Sequence, residues 1–149
     1  MESYVDTPIN VRYGETDMMG VVYHANYLLY FEDARSDFLD AHGFSYSEDI
    51  EKAGYMSPIR SVDIRYSHPL RFGEEGFVRT TIEGNLPMRT VYHHRVYRKG
   101  MDPDAEPPLV DAHVTVCLVD RETFKPVSIK RTFPDLYETY GTIMEEAVG

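Results

Sequence analysis

The sequence has no tryptophan and a single cysteine, Cys117. One thiol cannot form an internal disulfide, which excludes a disulfide-stapled scaffold. Cys117 lies in an alternating apolar run, so we expect a small buried hydrophobe, with a catalytic thiol as the alternative. No apolar run approaches the roughly 20 residues of a membrane span. Residues 1–12 lack a signal-peptide pattern, and a soluble, cytosolic (cytoplasmic) protein is the expectation.

Basic residues are also scarce. The chain carries 15 Lys and Arg against 25 Asp and Glu, a formal net charge of −10. An acidic surface repels polyanions, which argues against nucleic-acid binding through a broad basic face. A local basic pocket for a small anionic ligand remains compatible with this charge. The 149 residues fit one domain, 1–149, large enough for a real core.

Several site types lack their motifs. His93 and His94 are neighbours on a predicted strand, so they face opposite sides and do not chelate one metal. His68 and His113 have no Cys or His partner at a spacing typical of zinc. There is no G-x-S-x-G elbow and no glycine-rich phosphate loop. We therefore expect no metal, no cofactor and no serine hydrolase.

What is present is an early strand followed by a long helix. Residues 8–13 alternate in the manner of a strand. Apolar residues then recur at i, i+4, i+7 and i+11, which predicts a helix from about residue 24 to about residue 41. Gly43 is expected in the left-handed cap that ends it. The positions of this stripe are Tyr27, Phe31, Ala34 and Phe38.

Most of the remaining chain alternates with period two. Strands are predicted over residues 58–66, 76–84, 90–98, 110–120 and, briefly, 126–129. Residues 101–108 read as an exposed loop between antiparallel strands, and a second helix is predicted from Pro134. The order predicts an α+β fold, an antiparallel sheet with the helix on one face. A homodimer would cover the free edge or face of such a sheet.

The most informative residue is Asp17, in the loop between the first strand and the helix. A solvent-accessible Asp is ionised at pH 7 and acts as a nucleophile or as a base that activates water. Gly20 lets the loop fold back towards the free N–H groups of His24 and Ala25 at the helix start. Such donors stabilise an oxyanion. This pairing predicts an enzyme that attacks a carbonyl, although Asp17 could instead cap a turn, and Glu15 competes for its role.

The neighbouring residues have two interpretations each. His24 contributes either its backbone N–H, which we favour, or its imidazole as a general acid or base. Tyr23 and Tyr27 line an acyl pocket or fill the core. Asn26 is expected to hydrogen-bond the preceding loop and hold its shape. The candidate catalytic residues are thus Asp17, His24 and Tyr23.

These residues form a recognisable signature. The segment from Tyr13 to Arg35 reads YGETDMMGVVYHANYLLYFEDAR. It closely resembles the hotdog-fold acyl-CoA thioesterases, specifically the 4-hydroxybenzoyl-CoA thioesterase-like branch. The resemblance implies a long antiparallel sheet wrapped around a central helix, subunits paired into a homodimer or a homotetramer, and an acyl-CoA substrate. It also implies that Asp17 is the catalytic aspartate and that the His24 N–H polarises the thioester carbonyl.

The resemblance further implies a binding site completed by a partner subunit. The strand after the helix, around residues 56–59, is expected to enter the neighbouring site. A basic residue followed by Thr opens a middle strand, where it would meet the phosphates of CoA. Lys125 and Lys130 are weaker candidates for that role. The candidate substrate-binding residues are Gly20, Val21, Asn26, Tyr27, Ser57, Ile59, Arg89 and Thr90.

Two other functions stay open at this point. A hotdog hydratase or dehydratase would act on acyl thioesters through a His paired with an acid, for which His24 and Asp17 are possible partners. A non-catalytic acyl-CoA-binding module would bind CoA without releasing thiol, against which the intact Asp17 argues. The acyl group and the carrier, CoA or acyl carrier protein, are also open. An acidic carrier would be repelled by the net charge unless a basic patch receives it.

Overall fold

The computed structural model describes residues 3–148. One long helix packs against one face of a five-stranded antiparallel sheet, and a three-stranded sheet lies beside it. The helices are α1 (Tyr27–Ala41), α2 (Ile129–Thr132) and α3 (Pro134–Val148). The strands are β1 (Tyr4–Asn10), β2 (Tyr55–Met56), β3 (Ile59–Tyr66), β4 (Glu75–Leu86), β5 (Arg89–Arg98), β6 (Val110–Val116), β7 (Leu118–Asp120) and β8 (Pro126–Val127). The α+β class expected from the sequence is confirmed.

The five-stranded sheet has the order β1-β4-β5-β6-β3, and the small sheet has the order β2-β7-β8. All pairs are antiparallel. The chain between β5 and β6 is the loop predicted at residues 101–108, and β6 has neighbours on both sides. The edge strands of the large sheet are β1 and β3, and in β3 every residue except Ile64 is exposed. The described chain therefore leaves the β3 edge without a strand partner.

Helix α1 buries the predicted stripe. Tyr27 is 2% exposed, and Phe31, Ala34 and Phe38 are fully buried. The Phe31 ring stacks on His94 of β5 at 4.8 Å between centroids, which ties the helix to the inner face of the sheet. A 3₁₀ turn, His24–Asn26, precedes the helix, and Gly43 takes the predicted left-handed conformation with φ 88°.

The first strand begins and ends earlier than the alternation predicts. Its pairing with β4 runs from Tyr4 to Asn10, and the last pair joins Asn10 to Glu75. Beyond that pair the chain turns, because Tyr13–Glu15 forms a 3₁₀ turn. Tyr13, expected on the strand, is 73% exposed. The strand therefore ends before the loop that carries Asp17.

The predicted strand over residues 110–120 is divided at Cys117. Its first part, β6, belongs to the large sheet, and its last part, β7, belongs to the small one. The Cys117 N–H donates to the Pro58 carbonyl at 3.1 Å instead of continuing a ladder. Cys117 is half-buried rather than buried. Alternation alone did not reveal this division, because both parts keep apolar residues facing the core.

Near the C-terminus the prediction needs one correction. The short strand ends at Val127, and Ile129 begins helix α2 instead of closing the strand. Ser128 caps this helix, since its hydroxyl accepts a hydrogen bond from the Arg131 N–H at 3.1 Å. Helix α3 begins at Pro134 as predicted. Within residues 3–148, no helix is both long and apolar enough to cross a membrane.

Candidate active site

Asp17 begins a tight hairpin. Its N–H donates to the Val21 carbonyl at 2.9 Å, and the Gly20 N–H donates to the Asp17 carbonyl at 3.0 Å. Gly20 has φ 75°, a conformation that a side chain disfavours. The Met19 N–H donates to Asp17 Oδ1 at 2.8 Å. Oδ1 is therefore fixed by the backbone, while Oδ2 has no hydrogen-bond partner among the described residues.

The start of the helix presents a free donor. Tyr23 is extended, with φ −60° and ψ 131°, and the 3₁₀ turn begins at His24. No residue of the described chain accepts a hydrogen bond from the His24 N–H. Amides at a helix start carry partial positive charge and point along the axis. The local structure thus provides the backbone donor that the sequence predicted.

Asn26 holds the loop against the helix. Its Nδ2 donates to the Glu15 carbonyl at 2.9 Å, which is the contact expected from the sequence. The Tyr23 N–H donates to the same carbonyl, also at 2.9 Å. Two donors from the helix start therefore fix the residue that lies two positions before Asp17. Because the Asn26 side chain donates this hydrogen bond to the loop, its role in binding is to hold the shape of the site.

Glu15 is occupied by structural contacts. The Arg12 guanidinium donates to its Oε2 at 2.9 and 3.1 Å, and the Tyr30 hydroxyl donates to Oε1 at 2.9 Å. Burial acts to raise the pKa of Glu15, but the hydrogen bonds from Arg12 and Tyr30 outweigh it and the pKa is lowered. Glu15 thus braces the loop, and Asp17 is the carboxylate with a free oxygen.

Asp17 and His24 line one open cleft of about 220 Å³. Its apolar wall comes from Val21, Val22 and Tyr27 and from Tyr66 at the end of β3. The remaining lining residues are Met19, Ser67, His68 and Pro69. Asp17, with its free carboxylate oxygen, and His24, with its free N–H, thus line one cleft with an apolar wall, and these are the groups that attack on an acyl carbonyl requires.

Tyr66 is a member of the site that the sequence analysis did not identify. Its hydroxyl donates to the His24 carbonyl at 2.9 Å, and its ring lies 5.7 Å from that of Tyr27. The Tyr27 hydroxyl in turn accepts from the Leu70 N–H at 3.3 Å. The only sequence signal for Tyr66 was its place in strand alternation, because it lies 42 residues from His24.

Other predicted residues lie outside the cleft. Tyr23 is 45% exposed and packs its ring on that of His24 at 4.4 Å. The Gly20 carbonyl accepts from the Phe72 N–H at 3.2 Å, so Gly20 shapes the hairpin without lining the cleft. The His24 imidazole has no hydrogen bond or ion pair with Asp17 among the described contacts. The His–acid pair of a hydratase is therefore not formed here.

The second group of predicted residues does not line the cleft. Ser57 lines a separate cavity of about 180 Å³, and Ile59 is 44% exposed on the free sheet edge. Arg89 is exposed beside Arg60. Thr90 is only 4% exposed. A single chain thus holds the predicted site residues in two separate places.

The two lysines considered for phosphate binding are also remote from the cleft. Lys125 is exposed in the turn before β8. Lys130 is exposed on α2, and its ammonium lies 5.7 Å from the centre of the Tyr137 ring. Neither lines the cleft that contains Asp17. Arg89 does not line this cleft either, so a single chain brings none of the three phosphate candidates to Asp17.

Comparisons with a family profile and with known relatives identify the same family. The profile of the Thioesterase-like superfamily matches residues 11–138. YneP of Bacillus subtilis, provisionally named an acyl-CoA thioesterase, is 42% identical over 89% of this chain and 91% of its own. The acyl-CoA thioesterase YbgC of Helicobacter pylori is 30% identical over 85% of this chain and 94% of its own.

Structural comparison points the same way. The DHNA-CoA thioesterase of Staphylococcus aureus superposes with a TM-score of 0.87 and 34% sequence identity. The superposition covers 95% of this chain and 91% of that one. The likeness therefore extends over nearly the whole chain rather than the signature segment alone.

Proposed function

This chain belongs to the Thioesterase-like superfamily, and from that premise we propose that Asp17 is the reacting carboxylate of an acyl-CoA thioesterase. The fold is the hotdog fold expected from the sequence. The reaction is hydrolysis of an acyl-CoA thioester to a carboxylic acid and CoA, as the similarity to YbgC and YneP indicates. The observation that carries the proposal for Asp17 is its free carboxylate oxygen in the same cleft as the free His24 N–H.

The chemistry needs few groups. The thioester oxygen accepts a hydrogen bond from the His24 N–H, and the carbonyl carbon then faces the free oxygen of Asp17. By one route Asp17 attacks the carbon, the C–S bond breaks, CoA leaves as a thiolate, and water hydrolyses the acyl-aspartyl anhydride. By the other, Asp17 takes a proton from the attacking water and CoA leaves directly. Both routes consume one water, regenerate Asp17 and use the same oxyanion donor.

The acyl group would contact the apolar wall of the cleft. Val21, Tyr27 and Tyr66 supply aliphatic and aromatic surface. Each buried methylene contributes about 0.8 kcal/mol to binding with little demand on shape. Both aryl and alkyl groups satisfy this surface, so a substrate panel decides the preference.

The remaining predicted residues suit a homodimer. The β3 edge is unpaired and its Ile59, Val62 and Tyr66 are 44%, 38% and 48% exposed, a surface that a second copy would cover. In such a dimer, Ser57 and Ile59 would complete the cleft of the partner subunit. Arg89 would meet the CoA phosphates, while the buried Thr90 would hold the strand start in position.

Asp17→Asn is the decisive variant, since it keeps the shape of the side chain and removes its charge. Thiol release from a panel of acyl-CoA thioesters should fall by about 10²- to 10⁴-fold, the usual contribution of a positioned base. Asp17→Ala should be at least as severe, with an unchanged circular dichroism spectrum and retained CoA binding. Near wild-type thiol release by Asp17→Ala would refute the assignment. A change in enoyl absorbance without thiol release would indicate hydratase chemistry instead.

A further inference from the structure

The outer face of the large sheet, opposite α1, carries a compact group of imidazoles and carboxylates. We name it the sheet cluster: Glu83 of β4, His93 of β5, and Asp111 and His113 of β6. His93 Nε2 lies 2.6 Å from Asp111 Oδ1. His113 Nδ1 lies 2.5 Å from Glu83 Oε2, and its Nε2 lies 3.3 Å from Asp111 Oδ2. None of these residues lines the Asp17 cleft.

Strand register brings the two histidines together. His93 and His113 are directly paired across β5 and β6, and their rings stack at 4.4 Å with 14° between the planes. Directly paired residues on one face of an antiparallel sheet have side chains close enough to interact. The 20-residue separation in sequence therefore hides a contact that the sheet makes inevitable.

A β-bulge in β4 brings Glu83 into the sheet cluster. The pairing of β4 with β5 shifts between Ile82 and Gly84, so Glu83 has no residue opposite it. Bulges re-aim a side chain, and here the Glu83 carboxylate reaches His113, two strands away. Three neighbouring strands thus each offer a ligand atom at one place.

We propose that Glu83, His93 and His113 bind a divalent metal ion of the zinc class. One ligand atom from each lies within 4.8 Å of the others, a separation that modest side-chain rotation closes around an ion. Two imidazole nitrogens and a carboxylate oxygen are a ligand set that zinc accepts in tetrahedral geometry. Asp111, which contacts both histidines, is placed to be the fourth ligand or to orient the imidazoles.

Access and charge both suit an ion. The side chains of His93 and His113 are 17% and 34% exposed, and that of Glu83 is 46% exposed. An ion can therefore enter from solvent, yet the ligands are held by their strands. The carboxylates of Glu83 and Asp111 would balance the charge of the ion.

One neighbour opposes the ion. The Arg95 guanidinium lies 3.1 Å from His93 Nδ1, and its Nε lies 3.3 Å from both ring nitrogens. An ion bound to His93 would meet this positive charge and require Arg95 to withdraw. Removal of the Arg95 charge should therefore tighten binding, an effect opposite to that of removing a ligand.

The test is titration of chelator-treated protein with Zn²⁺ alone, followed by calorimetry. The wild type should bind one equivalent per chain, and its melting temperature should rise with zinc. His93→Ala and His113→Ala should each weaken binding by about tenfold or more, and Arg95→Gln should strengthen it. His68→Ala, which removes an exposed histidine elsewhere, is the matched control and should bind as the wild type does.

Three results would overturn the proposal. They are the absence of saturable zinc binding by the wild type, unchanged binding by both His93→Ala and His113→Ala, and equal loss in the His68→Ala control. Circular dichroism of each zinc-free variant separates lost ligation from lost folding. If either alanine variant unfolds, His113→Gln provides a bulkier polar replacement for the same measurement.

Discussion

The Asp17 hairpin (residues 16–22) and the sheet cluster are built in opposite ways. The hairpin and the helix start that it faces lie within ten residues of one another, and the hydrogen bonds that Asp17 makes are all local. The sheet cluster draws on three strands, and its contacts between strands span 18 to 30 residues. One arrangement follows from chain order, whereas the other follows from sheet register.

The comparison explains what each region can do. The hairpin leaves an oxygen of Asp17 and the His24 N–H free in a cleft, as chemistry on a substrate requires. In the sheet cluster, every imidazole and carboxylate already contacts another member. Groups that satisfy one another suit a structural or ion-binding role, so the two regions should respond differently to substitution.

Among the variants that test this difference between the two regions, His24→Pro is expected to have the largest effect on catalysis. Proline has no N–H, yet it is tolerated at a first helical position. The extended conformation of Tyr23, with φ −60° and ψ 131°, suits a residue that precedes proline. Loss of the oxyanion donor should lower kcat by about 10²- to 10³-fold.

His24→Ala is the matched control, since it removes the imidazole and keeps the N–H. It should retain most of the activity in the same thiol-release assay. If His24→Ala were as damaging as His24→Pro, the imidazole rather than the amide would be the active group. The backbone role assigned to His24 would then be wrong.

A smaller effect is expected from Asn26→Ala, which removes the bond from Nδ2 to the Glu15 carbonyl. A loosened loop misplaces Asp17, and kcat/KM should fall by about tenfold. Asn85→Ala is the control, because Asn85 Nδ2 makes a similar 2.9 Å bond to the Tyr137 carbonyl outside the cleft. Both variants should lose about 1 kcal/mol of stability, but only Asn26→Ala should lose activity. Equal activity of the Asn26→Ala and Asn85→Ala variants would show that Asn26 has no role in the site.

The same contrast explains how much the sequence could predict. The helix stripe, the Gly43 cap and the neighbourhood of Asp17 were predictable because each depends on residues close in the chain. Tyr66 was not, since its contact with His24 depends on where β3 ends in space. The division at Cys117 was hidden because alternation continues while the strand changes sheets.

The sheet cluster could not be predicted from the sequence for a further reason. His113 has no ligand at a spacing typical of zinc, and His93 was considered only with its neighbour His94. Their contact depends on the register of β5 with β6, and the approach of Glu83 depends on a bulge. Register is not marked by residue type in this chain. Sites assembled across strands therefore need the structure, whereas sites on one loop do not.

A more modest effect is expected from Glu15→Gln. The folded protein lowers the pKa of Glu15 below its usual 4.5, so the carboxylate adds stability above that pH and loses it as the pH falls through the lowered value. Thermal melts should show the variant about 2–5 °C less stable at pH 7, with the difference shrinking below pH 4.5. Thiol release should largely survive. An inactive but folded variant would make Glu15, not Asp17, the chemical group.

The smallest effect on catalysis is expected from the sheet cluster. His93→Ala and His113→Ala remove groups that lie on the outer sheet face, apart from the cleft, so thiol release without added metal should stay within about twofold of wild type. For these two variants the informative measurement is the melting temperature with and without Zn²⁺. For Asp17→Asn it is thiol release. If His113→Ala lowered kcat as His24→Pro does, the outer face would be coupled to the cleft through β6 and β3. In that case the contrast between a local catalytic loop and an independent cluster on the sheet would fail.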